Sequence, residues 1–369
     1  MMPENISMPD AMQRDITFAE AVREGLDQAM ENDPRVILIG EGVPDPKAIF
    51  NTTSGLREKY GNRRVFDMPL AENGMTGVCI GAALSGLRPV MVHQRVDFSL
   101  LAMDQLINNA AKWHYMFDGK ASVPLVVRMI VGRGWGQGPQ HSQSLQGMFA
   151  QVPGIKVIMP TTAHDAKGMM ISAIEDNNPV LYIEHRWLHQ IRDSVPENYY
   201  RVRLGQAQIM HQGDSVTVAA FSHMVVETLI AAKALTSIMG IRIEVLDMRS
   251  VRPLDVESVL KSVQKTGRLI VADTAFQTGS IAGELIAQVV EQAFHALKTR
   301  PVRITLPDHP APTSHFMTEH YYPSPQMIVD AVLDMVGTDK NCASYYDLCK
   351  LMLRDGPHDT PNRGFTGPF

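Results

Sequence analysis

A chain of 369 residues is too long for one compact core and has the size of two ordinary domains. Its 45% hydrophobic and 20% charged residues describe a globular chain rather than a disordered one, and a formal net charge of −5 offers no basic stripe to nucleic acid. No apolar run reaches the roughly 18 residues that a membrane span needs.

Three scattered cysteines, Cys79, Cys342 and Cys349, fit neither a disulfide framework nor a zinc site, which implies a reducing compartment. The N-terminus has neither an apolar signal core nor an Arg-rich transit pattern, so the expected location is cytoplasmic. Methionine is abundant, at 23 residues, and reads chiefly as core filler.

Residues 1–15 read as a loose N-terminal tail. Thr17-Phe18-Ala19-Glu20 is a capping box that starts a helix running to about Glu31, and Asn32-Asp33-Pro34 stops it. Val36-Ile37-Leu38-Ile39 is apolar at every position, which predicts a strand covered on both faces in a parallel sheet. The alternation continues with strands at Val90–His93, Pro124–Val131, Ile155–Met159 and Val180–Ile183. Helices are expected near Thr76–Ser85, Leu100–Phe117, Ser142–Gln151 and Ala163–Asp176. Residues 16–190 are therefore expected to form one doubly wound α/β domain.

The polar, proline-containing stretch 191–214 reads as a linker. A second doubly wound α/β domain is expected over 215–337. Its strands are Ser215–Phe221, Arg242–Leu246, Arg268–Ala272 and Val302–Leu306, and its helices are Val225–Met239, Val256–Val263, Ile281–Leu297 and Pro325–Val336. Residues 338–369 form a polar, Pro- and Gly-rich C-terminal extension that either wraps a partner or stays loose.

Open parallel sheets bind ligands beyond the carboxyl ends of their strands. Glu41, the run Gln94 to Phe98, the run Gly132 to His141, and Glu184-His185 all fall at such ends, so the first domain is expected to carry the chemistry. Within it, Glu72 opens a helix of small residues, and Phe98 follows the next strand. One acid and one aromatic so placed fit a flat heteroaromatic ligand. They fit equally well a helix-entry acid favoured by the dipole and an ordinary core aromatic.

The glycine-rich run Gly132 to Gly138 fails as a dinucleotide fingerprint, lacking a third glycine in the first helical turn and an acid about 20 residues on. A flexible loop that delivers His141 to a cleft fits it better; a plain helix N-terminal histidine fits as well. At a helix N-terminus the dipole disfavours the imidazolium, which suits a neutral donor or proton shuttle. No Gly-x-Ser-x-Gly, Walker or His-x-x-x-His pattern is present.

Taken together, several motifs make the chain similar to the β subunits of thiamine-diphosphate-dependent 2-oxoacid dehydrogenases, the E1 components of pyruvate and branched-chain complexes. They are Gly40-Glu41, Asp67-Met68-Pro69-Leu70-Ala71-Glu72-Asn73-Gly74, Gly86-Leu87-Arg88-Pro89, Asp97-Phe98, Asp104-Gln105, Gln140-His141-Ser142-Gln143, Asp165-Ala166-Lys167-Gly168, Asp176-Asn177-Asn178-Pro179 and Asp247 to Asp255. In this order they span from about Asp15 to Gly337.

The resemblance implies a transketolase-like pyrimidine-binding domain followed by a transketolase C-terminal domain. It implies that Glu72 hydrogen-bonds the aminopyrimidine ring of thiamine diphosphate and thereby activates it as a nucleophile. Phe98 then stacks on that ring beside Leu70 and Gln94, and His141 stands near the 2-oxo group and acyl acceptor. Glu41 falls near an acidic route between paired sites. Leu125, Ala173, Asp176 and Asn178 fall where some relatives hold a structural potassium ion.

The family's diphosphate and Mg²⁺ motif, Gly-Asp-Gly, is missing, and Gly213-Asp214 lies in the linker. The resemblance then implies an E1 α-type partner that supplies that half of the site, in an α2β2 heterotetramer, with a lipoyl acyltransferase E2 as a further candidate partner. Arg95 and Gly42 depart from the family pattern, and Arg95 is expected to bring a cation to the pocket border. Two other readings are acetoin-cleaving or stand-alone decarboxylase or acyloin synthase chemistry with the same cofactor, and a non-catalytic scaffold subunit.

Overall fold

A strand that is apolar at every position must be covered on both faces, and this requirement organises both halves of the chain. The computed structural model describes residues 13–352 and 359–361. The strands of the first half are β1 (Gln13–Thr17), β2 (Val36–Gly40), β3 (Val65–Phe66), β4 (Arg88–His93), β5 (Val126–Val131), β6 (Lys156–Ile158), β7 (Val180–His185) and β8 (Arg192–Pro196). Those of the second half are β9 (Gln208–His211), β10 (Val216–Ala220), β11 (Ile243–Asp247), β12 (Ser250–Arg252), β13 (Leu269–Phe276) and β14 (Val302–Leu306).

Seven strands form the first sheet in the order β12-β6-β7-β5-β4-β2-β3, parallel except for β12. Five form the second, β14-β13-β10-β11-β9, parallel except for β9. Strands β5, β7, β10 and β11 are buried along their whole length, their few polar positions included. Helices cover both faces: Phe18–Asn32 packs with Ala163–Glu175 on one side of the first sheet, and Glu72–Leu84 lies on the other. The capping box is present as read, with Thr17 Oγ1 accepting from the Glu20 amide at 3.2 Å.

Several elements differ from the sequence reading. Of the expected tail 1–15, residues from Gln13 pair antiparallel with β8, so Gln13 faces Pro196; the first twelve lie outside the described residues. The stretch read as a linker, 191–214, thus contributes β8 to that ribbon and β9 to the edge of the second sheet. The single helix expected over Leu100–Phe117 is instead a 3₁₀ segment Val96–Ala102, a π turn Gln105–Ala110 and a helix Ala111–Met116. Asp104 lies at the break: its backbone carbonyl accepts from Asn109 Nδ2 at 3.5 Å, a side-chain bond to the backbone that competes with regular helical pairing.

The helix expected over Ser142–Gln151 shrinks to Gln146–Ala150, because Ser144 bonds Thr274 Oγ1 at 2.8 Å and is drawn toward the second domain. In the C-terminal extension, helix Ala343–Met352 buries Leu348 and Met352 against helix His223–Met239.

One connection ties the halves together. After β11 the chain crosses to the first sheet, where Ser250 faces Ile158 as edge strand β12, and then returns. Arg249, just before it, bonds both carboxylate oxygens of the buried Asp165 at 3.2 Å, the Gln206 carbonyl at 2.7 Å and Gln208 Oε1 at 3.1 Å.

Candidate active site

The carboxyl ends of β2, β4 and β5 converge with the N-terminus of helix Glu72–Leu84. Glu72 is the first residue of that helix and is only 6% exposed. Among the described residues its carboxylate makes no hydrogen bond or ion pair. The residue as a whole is buried, yet its carboxylate oxygens, unlike Glu41 Oε1, still reach solvent, so a donor on a ligand can approach them.

Two further acids stand beside it. Asp67 accepts from the Gly42 amide at 3.1 Å and its own neighbour Met68 at 2.9 Å. Glu41 follows β2, and its Oε1 is buried without a hydrogen bond. Burial, then the charges of Glu72 and Asp67, hold the Glu41 carboxyl above the ordinary range. Gln94 ties this corner to the end of β4 by donating to the Glu41 carbonyl at 3.2 Å. Positive φ at Gly42, +71°, lets the backbone turn there, with Asp45 and the Gln94 amide both 3.2 Å from where a Cβ would stand.

On the other side, the ring of Phe98 meets that of His141 edge to face, with centroids 5.5 Å apart and planes at 87°. The neighbouring residues fasten the contact: Asp97 Oδ1 accepts from Gln143 Nε2 at 2.8 Å and from its backbone amide at 3.3 Å. Burial raises the Asp97 carboxyl, and the Gln143 bonds oppose that rise. The segment Val96–Ala102, which carries Phe98, packs against the helix that begins at Glu72.

Phe98 is half-buried, Gln94 is exposed, and Leu70 is 80% exposed on the rim. The structure thus groups Glu41, Glu72 and Gln94 at one corner and Phe98 with His141 at the other, under a rim left open at Leu70.

Arg95 does not face an open pocket border. It is 3% exposed, donates from Nε to Gln137 Oε1 at 2.9 Å and from Nη1 to the Gln94 carbonyl at 2.7 Å, and lies over the Phe50 ring at 5.3 Å. Arg186 covers the same ring at 4.4 Å. Burial lowers both guanidinium pKa values to about 10, and the charge of Arg95 adds to the effect at Arg186.

The residues of the implied potassium site lie at the opposite end of the sheet. The Leu125 carbonyl accepts from the Val180 amide at 2.9 Å, and the Ala173 carbonyl from the Asp176 amide at 3.3 Å. Asn178 donates to Asp176 Oδ1 from its backbone at 2.9 Å, while Lys156 pairs with the same carboxylate. Arg88 donates to the Asp176 carbonyl at 3.0 Å. Oxygen donors are therefore concentrated at this corner, with two protein cations beside them.

Sequence reasoning missed a buried ionic core beneath the site. Arg128 forms a bidentate pair with Glu184 at 2.7 and 3.0 Å, and His189 Nε2 lies 3.2 Å from the same carboxylate. A charge inside each of two otherwise apolar strands was the available signal.

A second polar layer lies between the sheets. Gln146 Nε2 donates to Asp273 Oδ1 at 2.6 Å, the rings of His185 and His223 stack at 4.8 Å, and Arg133 sits 4.1 Å over Trp187. Burial raises Asp273 to about 6, and burial followed by the charge of Asp165 raises Asp247 to about 8.

Residues 14–190 match the family model of the transketolase pyrimidine-binding domain, and residues 205–328 that of the transketolase C-terminal domain. The acetoin:2,6-dichlorophenolindophenol oxidoreductase subunit beta of Bacillus subtilis is 40% identical over 338 residues, covering 88% of this chain and 98% of that protein. The pyruvate dehydrogenase E1 component subunit beta of Porphyra purpurea is 38% identical over 321 residues, covering 87% and 97%. A solved split-gene transketolase, described as an inactive beta4 tetramer, superposes with a TM-score of 0.71 over 87% of this chain and 98% of its own; at 21% identity it shows the same fold.

Proposed function

We propose, because this chain belongs to the family of pyruvate dehydrogenase E1 and acetoin oxidoreductase beta subunits, that it is the β subunit of a thiamine-diphosphate-dependent 2-oxoacid dehydrogenase E1 component. The observation that carries the reading is Glu72, a largely buried residue at the start of a helix whose carboxylate has no protein donor and stays open to the site. The residues present fit an aminopyrimidine ring. When bound, thiamine diphosphate supplies a carbon nucleophile that cleaves the bond beside a 2-oxo group.

The chain's own residues divide the remaining work. Glu72 accepts the hydrogen bond of a ring nitrogen, in a site where burial strengthens that bond. Phe98 offers an aromatic face, with Leu70 and Gln94 on the rim. His141, held edge-on against Phe98, donates to the 2-oxo group or acyl acceptor. Glu41, with its raised pKa, holds a proton to higher pH than an ordinary carboxylate.

Nothing like Gly-Asp-Gly is available for a diphosphate and Mg²⁺, so an α-type subunit holds those groups in an α2β2 assembly in the cytoplasm. Leu125, Ala173, Asp176 and Asn178 provide a hard oxygen donor set for potassium, a structural role remote from the site. The residue roles, the domain limits 16–190 and 215–337, and transfer of the acyl group to a lipoyl acyltransferase are parts of the same proposal.

Co-expression with the α-type partner, followed by ferricyanide reduction driven by a 2-oxo acid, tests the reading. Glu72→Gln is expected to lower turnover by about 100-fold, near 2.7 kcal/mol of transition-state stabilisation. Turnover within about threefold of the parent, roughly 0.7 kcal/mol, would sink the assignment. A recovered complex without bound thiamine diphosphate would instead favour a scaffold subunit. Acetoin cleavage is a second reading, favoured by the 40% identity to two acetoin oxidoreductase beta subunits. Assaying acetoin beside 2-oxo acids, with and without a lipoyl domain, separates the two.

A further inference from the structure

The alternation Gly132-Arg133-Gly134-Trp135-Gly136-Gln137-Gly138 is not accounted for by cofactor binding, and its glycines have a specific use. Gly134, Gly136 and Gly138 have φ of +62°, +69° and +69°, and Trp135 between them has +54°. Residues with side chains avoid this region, so the run is costly unless close packing requires it. Each glycine faces the C-terminal part of the chain. A Cβ on Gly134 would lie 2.3 Å from the Asp359 carbonyl oxygen, and one on Gly138 would lie 2.6 Å from Thr313 Oγ1. The Gly134 amide donates to the Tyr322 hydroxyl at 3.0 Å.

The loop is also closed on itself. A Cβ on Gly132 would meet the His141 carbonyl oxygen at 2.0 Å and Gln137 Oε1 at 2.7 Å, and Gln137 is held by Arg95. Along the loop the Gly134 carbonyl accepts from the Gln137 amide at 3.2 Å and the Gly138 carbonyl from the His141 amide at 3.5 Å, so a chain of bonds links Gly134 to His141. Asp359 is itself anchored: it is 6% exposed, and its carboxylate lies 2.8 Å from His315 Nδ1. Residue 359 lies beyond the family's C-terminal domain, which matches to residue 328.

We propose that the described segment 359–361, through Asp359, is a strap that fixes the loop carrying His141. Asp359 is a positioning residue: pinned by His315, it presses its backbone on Gly134 and holds His141 against Phe98. The strap's part in turnover rests on the reading of His141 given above; its grip on the loop does not.

Hydrogen exchange of the full chain, read on the peptide spanning 132–141, tests the grip. Asp359→Ala should speed exchange there by about tenfold while the amides of β5 and β7 are unchanged, and Asp359→Glu, which keeps the His315 pair, should restore most of the protection. Exchange within twofold of the parent in both Asp359→Ala and a chain ending at Met352 overturns the proposal. If Asp359→Ala fails to fold, His315→Gln gives the same readout. In the co-expressed complex the alanine variant should lower kcat with KM for the 2-oxo acid held. A loosened loop with unchanged kcat overturns the positioning role, whereas a loosened loop in a complex with no thiamine chemistry leaves the strap standing and removes the functional reading.

Discussion

Glu41 and Asp247 are acids whose surroundings favour the neutral form, and both yield tests in pH. For Glu41, burial and the charges of Glu72 and Asp67 raise the folded pKa above the unfolded one. The folded state then loses stability relative to the unfolded state as pH climbs from the ordinary carboxylate value through the raised one. Glu41→Gln removes that loss, so its unfolding temperature should exceed the parent's near pH 7.5, with the gap closing as pH falls toward about 4. Melting curves at stepped pH measure it, and a gap that does not change with pH would mean that the fold does not raise the Glu41 carboxyl. Asp247, raised to about 8 chiefly by burial, behaves alike over a wider window. Between the ordinary value near 4 and about 8 only the unfolded chain is ionised, so stability declines with pH across that interval. Asp247→Asn should flatten this slope and be the more stable form above pH 8. Neither acid was distinguishable in the sequence from an exposed carboxylate at a strand end, because a pKa depends on which charges the fold places nearby.

At the scale of elements, legibility follows how local the determinants are. Strand Val302–Leu306 and helix Pro325–Val336 coincide with their sequence readings, since the helix has Pro at its start and the left-handed Gly337 at its end. Strand β12 was invisible: three residues become a strand only because β6 of the other domain offers an edge. The helix read over Leu100–Phe117 is broken where Asn109 bonds the Asp104 carbonyl, which an apolar pattern does not show. Arg249, beside β12, shows what the crossing costs to hold. It is the guanidinium that neutralises Asp165, whose side chain is fully buried, while also serving Gln206 and Gln208. Arg249→Ala leaves that carboxylate buried with its principal countercharge gone, an effect of about 3–5 kcal/mol. Urea unfolding of the full chain measures it; a loss below about 1 kcal/mol would mean that His164 or water compensates Asp165.

For the whole molecule, the sequence pattern revealed two parallel-sheet layers because continuous apolar runs need no long-range information, whereas for Glu72, Phe98 and His141 it left a structural role equally open, and only the family resemblance implied their roles. The distances among them, and the clamp on the 132–141 loop, depend on contacts between residues more than 200 apart, such as Gly134 with Asp359. The site that results is open. Leu70 on its rim is 80% exposed, and Leu101, Tyr115 and Met116 expose large apolar surface on segments that follow Phe98. Exposed apolar groups of this size beside a half-formed site fit a missing protein surface. A ligand that binds only the native state stabilises it by RT ln(1 + [L]/Kd), about 2.7 kcal/mol at a concentration 100 times Kd. On the proposed division of the cofactor between two subunits, the isolated chain should show no rise in unfolding temperature with millimolar thiamine diphosphate and Mg²⁺. The complex with its α-type partner should show a rise that grows with the logarithm of ligand concentration, and Glu72→Gln within that complex should reduce it. A full shift in the isolated chain would place the diphosphate site on this polypeptide and remove the need for a partner.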